Sequence, residues 1–71
     1  MTTKVIAGHK TEAKAEEIFG GHWRIEYTVD GKTFAVIDDY VGNRRQANGS
    51  IQATLNRWSA IAKNGIDPFV I

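Results

Sequence analysis

The chain contains no cysteine. A disulfide framework, a thiolate metal cage and a redox pair of thiols are therefore excluded. Secreted domains this small usually depend on such staples, so the composition predicts a reducing compartment, the cytoplasm. Long apolar runs are missing too. None approaches the roughly eighteen residues that a membrane span needs. The opening Met1-Thr2-Thr3-Lys4-Val5-Ile6 lacks the extended apolar region of a secretory signal, so neither a signal peptide nor a membrane partner is expected. Proline occurs once, at Pro68, and leaves the rest of the chain free to form regular structure.

Length sets the next limit. The chain has 71 residues, which leaves room for one small α+β domain (1–71) and argues against a self-contained multi-step enzyme. Apolar residues at 42% and charged residues at 24% are ordinary for a globular chain and exclude a disordered tail or a collagen-like repeat. A chain this short buries only about 60% of its unfolded surface. With packing alone to hold it, self-association as a homo-oligomer, a dimer at its simplest, is expected.

Periodicity predicts the elements. Val5-Ile6-Ala7 is a short β-prone run ended by Gly8. Thr11 can cap a helix with Glu12 favourable to its dipole, running to Phe19 and stopped by Gly20-Gly21. The apolar face of that helix is thin: Ala15, Ile18 and Phe19, with Ala13 partly aligned. Asp30-Gly31 between β-rich runs signals a hairpin over residues 22–37. A two-residue loop there sets Val29 opposite Lys32, Tyr27 opposite Phe34, Ile25 opposite Val36 and Trp23 opposite Asp38. Ala47, Ile51, Leu55, Trp58 and Ala62 then recur at helical spacing, ending in Gly65 as an αL cap. This helix starts either at a Ser50 cap or, as the stripe position of Ala47 favours, at an Asn43 cap that places Gly49 inside it. Phe69-Val70-Ile71 is left as an apolar tail that can add an edge strand or dock on a neighbouring subunit. The expected fold is a small antiparallel sheet, a hairpin plus a short N-terminal strand, packed by two helices in the order β-α-β-β-α.

Charge is distributed more unevenly than the net of +1 implies. No acidic residue occurs from Tyr40 to Ile66, while Arg44, Arg45, Arg57 and Lys63 all fall there. On a helix, Arg45, Asn48, Gln52, Asn56, Ser59 and Lys63 form one ridge, with Arg57 to one side. Arg44 and Arg45 stand near the helix start, where the dipole disfavours cations and an acidic partner would relieve the conflict. The same residues also read as a solvated face whose arginines pair with Asp38 and Asp39 across the fold. Tyr40, between those acids and Arg44, makes the connection a candidate recognition loop.

Catalytic and cofactor chemistry find no support. His9, His22, Asp38 and Asp39 lack metal-ligand spacing, no base stands at a suggestive distance from Ser50 or Ser59, and no Gly-rich phosphate loop precedes a helix. The expectation is a non-enzymatic module without metal or cofactor that docks on another protein and regulates or inhibits it. Small domains of this kind are common among the accessory proteins of phages and mobile elements. The contact would use Tyr40, Arg44, Arg45, Gln52, Asn56, Arg57 and Lys63. The alternative is a nucleic-acid-binding regulator using the same helix face, against which a pI near 8.1 is low.

Overall fold

The computed structural model of the chain describes residues 1–70. Strands β1 (Thr2–Ile6), β2 (His9–Phe19), β3 (His22–Val29) and β4 (Lys32–Tyr40) form one antiparallel sheet in the order β1-β2-β3-β4, followed by a single helix α1 (Arg44–Lys63). The observed order is β-β-β-β-α, which corrects the expected β-α-β-β-α. Residues 11–19 belong to β2 and there is no first helix. Helix propensity in an Ala/Glu/Lys segment is worth only tenths of a kcal/mol per residue and yields to tertiary context. As a strand the segment pairs with β1 on one side and β3 on the other. Thr11 and Ala13 become fully buried while Lys14 and Glu16 face solvent, the period-2 alternation of a half-buried sheet. Gly20-Gly21, at φ +34° and +85°, is a hairpin turn of the same hand as Asp30-Gly31, not a helix stop.

The β3–β4 register starts as the turn dictates, with Val29 opposite Lys32 and Thr28 opposite Thr33. A bulge at Phe34 then shifts it by one residue, so Tyr27 faces Ala35, Ile25 faces Ile37 and Trp23 faces Asp39. The expected pairings of Tyr27 with Phe34, Ile25 with Val36 and Trp23 with Asp38 are therefore corrected. Two contacts explain the shift. Small Ala35 leaves room beside the fully buried Tyr27 ring, and Asp38 comes opposite Arg24, whose Nε donates to it at 2.9 Å. The displaced Phe34 ring packs edge-on to Trp58, with centroids 5.5 Å apart.

The helix adopts the earlier of its two possible starts. The Asn43 side chain accepts from the Gln46 N–H at 2.9 Å, and Ser50 lies within the helix. At the other end Gly65 donates to the Ala62 carbonyl and Ile66 to the Ile61 carbonyl, a Schellman closure. Ala47, Ile51 and Leu55 form the buried seam, and Ile51 and Leu55 pack with Ile6, Ala13, Ile25 and Tyr27. The helix backbone covers β1, β2 and β3, and β4 reaches α1 through the Phe34–Trp58 contact. Phe69 neither extends the sheet nor stands free for a second subunit. It closes onto Trp58, Phe34 and His9 at centroid distances of 5.3, 5.2 and 5.6 Å. Ile71, the last residue of that tail, lies outside the described residues.

His9 fastens this tail. Its Nδ1 reaches Asp30 at 2.5 Å and its Nε2 reaches Asp67 at 3.1 Å, so both nitrogens donate only when the ring is protonated. The hydrogen bonds to Asp30 and then to Asp67 raise the His9 pKa above its usual 6.5. Asp30 is held below 3.8, first by His9 and then by the Lys10 N–H. Asp67 is likewise held below 3.8, first by the Phe69 N–H and less by His9. A raised histidine stabilises fully below 6.5 and loses that contribution as pH rises through the folded-state value; lowered carboxylates stabilise above 3.8 and lose it as pH falls through theirs. Thermal unfolding followed from about pH 5 to about pH 9 should show a midpoint that declines above neutrality, and His9→Asn should flatten that decline. An equal decline in both proteins would remove the clamp from the account.

Candidate functional site

A rise of 1.5 Å and 100° per residue carries the outward side of α1. Arg45, Asn48, Gln52, Asn56 and Lys63 are exposed on one line, about 27 Å from Arg45 to Lys63. Arg57 is also exposed, roughly 120° around the helix from that line. Among the described residues the ion pairs are His9 with Asp30 and Asp67, Lys10 with Glu12, and Arg24 with Asp38. None involves a cation of α1. The possible pairing of the helix arginines with Asp38 and Asp39 is thus not what the structure makes. Asp38 is taken by Arg24, and the Asp39 carboxylate accepts the Tyr40 N–H at 2.8 Å.

Arg44 departs from the ridge. Its guanidinium lies 4.9 Å from the centroid of the Trp23 ring, a cation–π contact that ties the helix start to β3. The attraction of the cation to the ring face offsets part of the unfavourable dipole at this helix start.

Tyr40 falls elsewhere again. It pairs with His22 at the end of β4, on the sheet face opposite the helix. Its ring meets His22 edge-on at 5.5 Å, and Phe19 stacks on His22 at 4.6 Å. Tyr40 and Phe19 are 66% and 64% exposed, large values for rings that touch neighbours. The end is fixed by Gly21, whose carbonyl accepts the Val41 and Gly42 N–H groups at 2.9 Å each. A Cβ on Gly21 would come 2.7 Å from the Tyr40 ring, and its φ of +85° already favours glycine.

The residues expected to bind a partner therefore divide. Arg45, Gln52, Asn56 and Lys63 come together on the ridge. Arg57 is on the other flank, Arg44 is anchored on Trp23, and Tyr40 belongs to an aromatic end with Phe19 and His22. Sequence reading placed Phe19 on a helix and missed that end; the Gly20-Gly21 pair was the available signal. It also missed a groove of about 390 Å³ between β1 and the last turns of α1, whose lining includes Lys4, Val5, Ser59, Ala62 and Lys63.

His22 stands opposite Tyr40 and Asp38 opposite Arg24, so the histidines and aspartates considered as a metal or acid–base group are not gathered. Among the described residues no three His, Asp or Glu side chains are grouped to hold a metal ion, and no helix is long and apolar enough to cross a membrane. Compared with known families, curated proteins and solved structures, the chain matches none, so the site rests on its own residues.

Proposed function

We propose that this chain is a non-enzymatic module that docks on an acidic protein surface through the outer side of α1 and regulates or inhibits that partner. The observation that supports it is the set of exposed cations Arg45, Arg57 and Lys63 on a helix without a carboxylate, none in an ion pair among the described residues. Such a surface steers an acidic partner and rejects a basic one. Gln52 and Asn56 between the charges supply hydrogen bonds that fix register. Tyr40 and Phe19, on the opposite sheet face, stand outside this surface. A specific interface takes about 800 Å² per partner, roughly a sixth of the 4742 Å² of this chain's surface. A cysteine-free chain suits a reducing setting, the cytoplasm.

Protein is favoured over nucleic acid because the cations are few and divided. With Arg44 held on Trp23, the remainder point to two flanks, whereas duplex binding needs several phosphate contacts along one track. The test is affinity capture with the tagged chain and with Arg45→Glu/Arg57→Glu, each with and without nuclease. A protein captured by the first, lost from the second and indifferent to nuclease is the expected result. Equal capture by both overturns the reading, and nuclease-sensitive capture replaces it with the nucleic-acid one. An untagged second copy retained in the same experiment would read the homodimer that the uncovered β4 edge supports, where Val36 and Ile37 are exposed; its absence removes that part.

A further inference from the structure

We infer that the groove between β1 and α1 receives an extended acidic segment of the partner, added as a fifth strand on the free edge of β1. This rests on the docking reading and specifies the partner's chemistry. β1 is an edge strand, paired with β2 alone. Ile6 and His9 flank the Ala7-Gly8 turn and so exchange both of their hydrogen bonds. Alternation along the ladder then points the N–H and C=O groups of Thr3 and Val5 away from β2, with no strand to receive them.

The groove beside that edge has an apolar floor and basic rims. Ile6, Ala7 and Ala62 contribute the floor, and Lys4 and Lys63 flank it from strand and helix. Among the described residues neither lysine is in an ion pair and no carboxylate lines the groove. The Ser59 hydroxyl in the same lining is buried without a hydrogen-bond partner. A compact anion is poorly served here, because the helix C-terminus presents carbonyls and the Gly65 and Ile66 N–H groups are spent on its closure. An extended segment meets every feature at once. Its backbone pairs with Thr3 and Val5, and the side chains on its helix-facing side, every second residue, bring apolar groups to the groove floor and carboxylates to Lys4 and Lys63. A lysine on an edge strand discourages neutral and basic strands, so it selects for acidic ones.

A fluorescent short peptide that carries both Glu and Val on one strand face and Thr on the other is the probe, read by anisotropy against the full chain. Saturable binding is expected, about tenfold weaker or worse in Lys4→Glu and in Val5→Pro. Proline at Val5 removes an outward N–H and leaves the β1–β2 ladder intact, and circular dichroism verifies that the variant folds. Binding should be unchanged in Lys14→Glu on the opposite sheet face and absent for the same peptide with Lys in place of Glu. Failure of the peptide to bind, equal binding by Val5→Pro, or equal binding of the same peptide with Gly in place of Val overturns the inference. The Arg45→Glu/Arg57→Glu variant separates the two readings. Partner capture that depends on the ridge without peptide binding removes the groove alone; peptide binding with capture indifferent to the ridge removes the docking surface alone.

Discussion

Leu55→Ala is expected to leave most of the chain unfolded at physiological temperature. Leu55 is fully buried at the centre of the α1 seam, packed in the cluster of Ile6, Ala13, Ile25, Tyr27 and Ile51. Truncating a buried leucine costs about 2–5 kcal/mol, through lost transfer energy and the cavity that remains. A core in a chain of this length supplies only about 3–5 kcal/mol in total. The chain has no cysteine to add a covalent staple, and one helix alone packs on the sheet, over β1 to β3. The loss is therefore comparable to the entire stability. Urea unfolding followed by circular dichroism should show no native baseline for this variant. Val70→Ala, at an exposed position, should stay within about 0.5 kcal/mol of the wild type. A cooperative Leu55→Ala transition displaced by less than about 1 kcal/mol would mean that the seam is not what holds helix to sheet.

Phe69→Ala should cost about 2–3 kcal/mol, less than a fully buried phenylalanine because the ring is half-buried. The ring has edge-to-face partners in Trp58, Phe34 and His9, and such pairs contribute about 0.5–1.5 kcal/mol each beyond buried area. Its loss also loosens the segment that carries Asp67 to His9, so the pH dependence assigned to that clamp should shrink in the same variant. Urea midpoints at acidic and at alkaline pH read both effects. A cost below about 1 kcal/mol with the pH dependence intact would mean that the C-terminal segment is an accessory and not part of the core.

Legibility in the sequence followed how local each signal is. The β3–β4 hairpin was readable because Asp30-Gly31 determines its own turn, and α1 because its apolar stripe and both caps lie within it. β2 was not, because its inward positions are Thr11, Ala13 and Ala15. Small residues suit a strand beneath Tyr27 and the helix seam, but they give little hydrophobic contrast, and alanine with glutamate and lysine imitates a helix. The bulge at Phe34 depends on space between Trp58 and Phe69, which no local pattern encodes. The ridge was readable for the same reason as its helix. The stacking of Arg44 on Trp23, the aromatic end and the β1 groove each join segments far apart in sequence, and misreading β2 concealed the last two.

Amide and side-chain NMR shifts of the labelled chain, titrated with the protein that it captures, address the docking surface most directly. The largest changes should fall on Arg45, Gln52, Asn56 and Lys63, with Glu12, Glu16 and Glu26 on the far sheet face unmoved. Changes centred on those glutamates, or spread evenly over the chain, would contradict a docking surface on α1.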